Sequence, residues 1–177
     1  MFNTFGKILL LGTVCGLSTP FIFNLFGVYT GEQAIHYYAE VHQSRWNSFI
    51  HTLGMPFTYY GILLCVPPIF FSSKRDIARM QLFLYPYFIS YYMYLNFWIG
   101  LLVAVCYFPS QRNAMRRMNI SKNKLNTAIY GLMVATTALT FQEVFGHWLG
   151  GDPPSRLEAI PNAIWHAGFY SIWHLLN

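Results

Sequence analysis

The chain has 177 residues, 55% of them hydrophobic, 19% aromatic and 10% charged. That length suits one domain, and so few charges exclude an ordinary water-soluble fold of this size. The formal net charge of +5 does not mark a nucleic-acid binder, because the Lys and Arg residues are few and flank apolar segments, where they serve to orient a chain in a bilayer.

In chain order, the apolar run 8–27 follows Lys7, lacks a small-residue cleavage site after it and is long enough for a span, so residues 1–30 read as an N-terminal membrane anchor. Residues 31–177 read as a helical membrane domain. Its first segment, 31–47, mixes Glu32, His36, Glu40 and Arg45 with apolar residues and predicts an amphipathic helix lying at the interface. Runs 48–71 and 127–149 predict spans, while 160–176 is interrupted by Pro161 and is expected to be tilted or partly interfacial. The run 81–108 is either one long tilted helix or two short helices turning near Leu95-Asn96. Cys15, Cys65 and Cys106 lie singly in apolar stretches with no CxxC pair, which suits buried or lipid-facing thiols rather than disulfides or metal ligands.

Charge decides the third run. A hairpin there brings Lys7, Lys74, Arg75, Arg79, Arg112, Arg116, Arg117, Lys122 and Lys124 to one side of the membrane and leaves Arg45 and Arg156 on the other. Glu32, Glu40, Glu143, Asp152 and Glu158 sort oppositely, with Asp76 alone among the basic loops. A single span would divide the cations almost evenly and leave the positive-inside rule nothing to act on. The expected fold is therefore all-α and polytopic, with about five to six membrane helices including a short central hairpin, plus the interfacial helix.

The hairpin also places His42, His51 and His147 on one side, whereas a single span would separate His51 from His147 by roughly 30 Å. Ionisable groups at membrane depth are costly and usually mark a site. Neutral imidazole ligates iron, zinc, copper or nickel, and a site needs several such groups from different helices. His42, His51 and His147 are the expected ligands, with His166 as a fourth. Asn47 precedes His51 by four residues and shares its face, and Glu143 stands one turn before His147 as a ligand, a base or a histidine partner. His36 and His174 read as interfacial hydrogen bonders, and the tyrosine runs 59–60 and 91–94 as packing and belt residues.

At these motifs the chain resembles the family of small polytopic membrane proteins related to the yeast endoplasmic-reticulum 2-hydroxy-fatty-acid dioxygenase of phytosphingosine degradation. A Tyr/His-bearing amphipathic lead-in, then His42, Asn47, His51 and Pro56, is similar to the family's first motif. Gly146-His147, then Pro154-Ser155 and the stretch from Leu157, is similar to its second. The likeness covers roughly residues 35–170. Glu143 stands where the family has Gln, and Gly150 where Glu is common. The resemblance implies an Fe2+ enzyme that uses O2 to shorten a 2-hydroxy fatty acid by one carbon and release CO2. His42, His51 and His147 would hold the iron, and Asn47 and Glu143 would orient ligands or substrate. It also allows a non-catalytic alternative, an accessory subunit of a larger membrane complex that packs on neighbouring subunits and binds membrane lipids. The endoplasmic reticulum and the mitochondrial inner membrane are the expected locations. A transporter or channel is disfavoured, since the chain shows no internal repeat and no file of acids crossing the membrane.

Overall fold

Every regular element among the described residues is helical. The computed structural model describes residues 3–26, 31–153 and 160–177, without the side chains of 31, 32, 37 and 160–165. The expectations that rest on the Glu32 side chain and on Pro154, Ser155, Arg156, Leu157 and Glu158 lie outside the described residues.

Among the described residues, three helical stretches are long and apolar enough to cross a membrane, and they coincide with the first, second and fourth apolar runs of the sequence. The first is α1 (Thr4–Leu25). The second, Arg45–Phe70, joins α3 (Arg45–Cys65) to the short α4 (Pro67–Phe70). The third, Lys124–Gly150, joins α7 (Lys124–Phe141), a π-helical turn (Gln142–Gly146) and α8 (His147–Gly150). Between and around them lie α2 (Gly31–Val41), α5 (Lys74–Leu95), α6 (Phe97–Ile120) and α9 (Ile160–Leu176). Pro161 falls in the first turn of α9, where its missing N–H costs nothing and no interruption results.

Two boundaries differ from expectation. The interfacial helix ends at Val41 instead of running to residue 47, and α3 starts at Arg45. The Ser44 hydroxyl accepts the Trp46 N–H at 3.2 Å and its carbonyl accepts the Ser48 N–H at 3.1 Å. Ser44 thus caps α3, and His42 lies in the connection between the helices. The central hairpin turns at Asn96, as expected, but its arms are 22 and 24 residues long and extend well beyond 81–108. Asn96 ends α5 in an extended conformation and its side-chain oxygen accepts the N–H groups of Trp98 and Ile99, which starts α6. Ser73 caps the Asp76 N–H, and Arg79 pairs with the Asp76 carboxylate at 2.8 Å. The hydroxyl of Ser73 and the guanidinium of Arg79 hold Asp76 below the usual carboxylate range.

The chain packs as two units, one of Met1–Thr19 with Pro56–Thr136 and one of Pro20–Met55 with Thr137–Asn177. In the first unit α1 lies on α5 through Gly12 and Gly16. A Cβ on Gly12 would stand 2.6 Å from the Phe83 carbonyl oxygen, and one on Gly16 would overlap Ser90 and Tyr87. Small residues of this kind let apolar helices approach backbone to backbone. A buried polar thread joins α3, α5 and α6. The Tyr59 hydroxyl donates to Gln111 Oε1, Gln111 Nε2 donates to the Gln81 carbonyl, and Gln81 Nε2 donates to the Leu63 carbonyl, each at 2.8 Å. This unit holds nine of the eleven Lys and Arg residues and one of the six acids, Asp76. In the second unit α2 packs on α9, where the Tyr38 and Ser171 hydroxyls are hydrogen bonded at 2.7 Å beside the buried Phe169 and Tyr170.

Candidate metal centre

His42, His51 and His147 converge in the interior of the second unit, all three buried, with ligand nitrogens within 4.8 Å of one another. Each arrives on a different piece of backbone. His42 follows the last residue of α2, and its ring stacks on Tyr38 with centroids 3.8 Å apart and planes 3° apart. His51 stands in the second turn of α3, and His147 opens α8 directly after the π-helical turn. One extra residue in such a turn re-aims the side chains beyond it, and π-turns are common at functional sites for that reason.

Hydrogen bonding fixes the state of two of the rings. His42 Nδ1 lies 3.1 Å from the Tyr38 carbonyl and His147 Nδ1 lies 2.6 Å from the Pro153 carbonyl. A carbonyl only accepts, so both Nδ1 atoms carry a proton, and in the neutral His42 ring this leaves Nε2 with a lone pair. This is the arrangement that orients metal-ligating histidines generally. Burial, followed by the nearby His51 and His147 rings, pushes the pKa of His42 down to about 3, so the ring is neutral near pH 7, as a ligand must be.

The Nε2 atoms lie close to further polar atoms. His42 Nε2 lies 3.3 Å from His51 Nε2, and His147 Nε2 lies 3.4 Å from Glu143 Oε2. A proton on His51 Nε2 and one on His147 Nε2 account for these contacts as hydrogen bonds, and the same nitrogens are close enough to converge on one metal ion instead. The first spacing also matches tetrahedral ligation, since two nitrogens each about 2.05 Å from one ion stand about 3.3 Å apart. The donor set fits a divalent transition metal, with three imidazoles and a half-exposed carboxylate one helical turn from His147.

The structure brings together three of the four expected ligands and leaves His166 out of the cluster. Its ring is buried against Tyr170, at 5.3 Å between centroids, and edge-on to Phe23 at 6.1 Å. Glu143 faces the centre through His147. Asn47 is fully buried, and its amide donates to Asp152 Oδ2 at 2.7 Å while its own oxygen has no hydrogen-bond partner among the described residues. His36 is exposed, and His174 reaches the Gln43 carbonyl at 3.4 Å.

Asp152 was not foreseen as part of the site. Both of its oxygens accept the Ser44 N–H at 3.1 Å, one also accepts the Asn47 amide, and the carboxylate thereby sits on the positive N-terminal end of α3. Gly151, at φ +68°, turns the chain back from α8 toward this position, a conformation that glycine adopts without strain. The Gly150-Gly151-Asp152 string is the sequence signal for such a turn. Gly146 and Gly54 complete the packing. A Cβ on Gly146 would stand 2.5 Å from Asn47 Oδ1, and one on Gly54 would stand 2.5 Å from the buried Gln142 side chain.

No family model matches this chain, and no curated protein or solved structure matches it.

Proposed function

We propose that this chain is an integral membrane oxygenase that holds iron(II) at His42, His51 and His147 and shortens 2-hydroxy fatty acids by one carbon. The observation that carries this reading is the convergence of three buried imidazoles, His42, His51 and His147, with ligand nitrogens within 4.8 Å of one another and the Glu143 carboxylate beside His147. The resemblance of the His42, Asn47, His51 and Gly146-His147 motifs selects iron and the substrate class.

Iron(II) held by His42, His51 and His147 would supply a redox centre for an α-hydroxy carboxylate and O2. The reaction balances without an external reductant. RCH(OH)COOH and O2 give RCOOH, CO2 and H2O; the bond between C1 and C2 breaks, and the four electrons the substrate loses reduce both oxygen atoms. The chain's own residues bind, orient and move protons. Tyr38 and Pro153 fix the His42 and His147 rings through their carbonyls, Asp152 and Asn47 hold the start of α3 and so His51, and Glu143 beside His147 would orient the substrate and take its hydroxyl proton. Phe145, Trp148 and Leu149 flank His147 and are exposed, an apolar approach for an acyl chain arriving from lipid. On this reading the chain has five to six membrane helices with its basic loops facing the cytosol or the mitochondrial matrix, in the endoplasmic reticulum or the mitochondrial inner membrane.

A second reading keeps the metal centre as a structural element of an accessory subunit in a larger membrane complex. The exposure of Trp46, Trp98 and Trp148, at 63%, 71% and 73%, favours it, since tryptophan is enriched where proteins meet one another. Metal analysis of detergent-purified, iron-supplemented protein, with His51→Ala and His147→Ala beside it, and O2 uptake with 2-hydroxyhexadecanoic acid decide between them. Near-stoichiometric iron that both variants lose, with one CO2 released per O2 consumed, is the expected result. Metal without turnover favours the accessory subunit, and wild-type protein that takes up no metal overturns both readings.

A further inference from the structure

The first unit carries a groove of about 630 Å³ between α1 and the α5–α6 hairpin. Its walls are apolar, with Phe5 and Leu9 from α1, Leu82 from α5 and Phe108 from α6, and at the C-terminal end of α6 it is bordered by Arg112 and Arg116. The volume lies in the range of small-molecule and lipid sites. The two arginines stand one helical turn apart, so their guanidinium groups project from one face.

What surrounds these arginines narrows the occupant. Neighbouring cations are engaged within the protein: Arg79 pairs with Asp76, Arg117 lies over the Tyr130 ring at 3.8 Å, and Lys74 donates to the carbonyls of Asn119 and Ser121. Among the described residues no carboxylate pairs with Arg112 or Arg116, and Asp76 is the one acid of this unit. An apolar trough that ends at two exposed guanidinium groups, beside a helix apolar enough to span a membrane, combines the two halves of an amphiphile's surface. Guanidinium pairs recognise phosphate through paired N–H donors, and basic pockets between membrane helices are the usual seats of anionic headgroups.

We propose that this groove binds an anionic phospholipid of the bilayer, with an acyl chain lying between α1 and the hairpin and the headgroup phosphate held by Arg112 and Arg116. The site is separate from the histidine centre and stands whether or not that centre is catalytic. Phosphatidylcholine shares the acyl chains and the phosphate but adds a compensating cation, so headgroup charge distinguishes specific binding from ordinary lipid contact.

The full chain in zwitterionic detergent is titrated with dimyristoyl phosphatidylglycerol and, separately, dimyristoyl phosphatidylcholine, and bound lipid is counted by native mass spectrometry. Phosphatidylglycerol is expected to bind at least tenfold more tightly. The double variant Arg112→Gln/Arg116→Gln, which alters only exposed side chains, is expected to lose that preference while binding phosphatidylcholine as before. Phe108→Trp, which fills the trough, is expected to weaken both lipids. Equal affinity for the two lipids in wild type, or an unchanged preference in the double variant, overturns the proposal. Displacement of phosphatidylglycerol by millimolar inorganic phosphate would also overturn it, by showing a site for the free anion.

Discussion

His42 Nε2 and His51 Nε2 lie 3.3 Å apart, His42 in the connection after α2 and His51 in the second turn of α3, and the Nδ1 proton of His42 is committed to the Tyr38 carbonyl on the other side of its ring. Three buried imidazoles within ligand distance of one another favour a cation among them, and binding one would couple directly to folding. Adding Fe2+ or Zn2+ to chelator-stripped protein is expected to raise its unfolding temperature, by the equivalent of about 4 kcal/mol at a thousandfold excess over Kd. His42→Ala is expected to abolish that metal-dependent rise. A thermal-shift series with and without EDTA checks it, and an equal rise in the variant would refute ligation by His42.

Asp152 is expected to stabilise the second unit without touching the metal. Its carboxylate collects the Ser44 N–H and the Asn47 amide at the N-terminus of α3. Asp152→Ala leaves two donors short of a partner, one of them on a fully buried side chain, and is expected to cost about 2 kcal/mol. Asp152→Asn keeps an acceptor but loses the charge at the helix end and is expected to cost about 1 kcal/mol. Denaturation of the two variants in the same detergent gives the order, and a neutral Asp152→Ala would show that water replaces the bonds.

Gly146→Ala sets two effects against each other. Alanine is the better helix former by about 1 kcal/mol. Its Cβ, however, would stand 2.5 Å from Asn47 Oδ1 and 3.3 Å from His51 Cδ2, and Asn47 is pinned by Asp152. Overpacking of this sort typically costs about 1–3 kcal/mol, and here the displaced groups include a ligand. The variant is expected to fold with at least tenfold weaker metal binding, read by competition with a chromogenic chelator; full affinity would mean that Asn47 moves freely.

The parts of this arrangement that could be read from the sequence are those that carry a cost in lipid. Histidines and a glutamate in or beside apolar runs are expensive, and three of the four histidines so identified do meet. His166 carries the same signal but is buried against Tyr170, because polarity at depth reports the need for an environment and not its direction. The turn between α5 and α6 was legible in the sequence, because the charge pattern asked for one near Asn96 and Asn96 has the side chain to cap α6. Asp152 was illegible as a site residue, since a loop acid 108 residues from Ser44 has no local pattern pointing at its partner. The break at 42–44 was hidden by the apolar periodicity on either side of it, and a single capping serine decides it.

The close crossing of α3 and α7 in the first unit is expected to be less tolerant than the groove or the caps. A Cβ on Gly61 would stand 2.5 Å from the Gly131 carbonyl oxygen and 2.6 Å from the Ala135 nitrogen, and one on Gly131 would stand 2.5 Å from Leu64 Cβ and 2.8 Å from the Gly61 carbonyl oxygen. These neighbours are mainly backbone, so no side-chain rotation relieves the overlap and the helices must separate. Separation forfeits contacts along the whole crossing, where van der Waals packing rather than the hydrophobic effect holds helices together in lipid. Gly61→Ala and Gly131→Ala are each expected to cost about 2 kcal/mol or more, against the gain of about 1 kcal/mol from helix propensity. The double variant is expected to cost less than the sum, because the first substitution already opens the contact the second would strain. Unfolding in a mixed-micelle titration measures all three. Additive losses would mean that the two glycines relieve separate contacts and that α3 and α7 do not move apart as rigid helices.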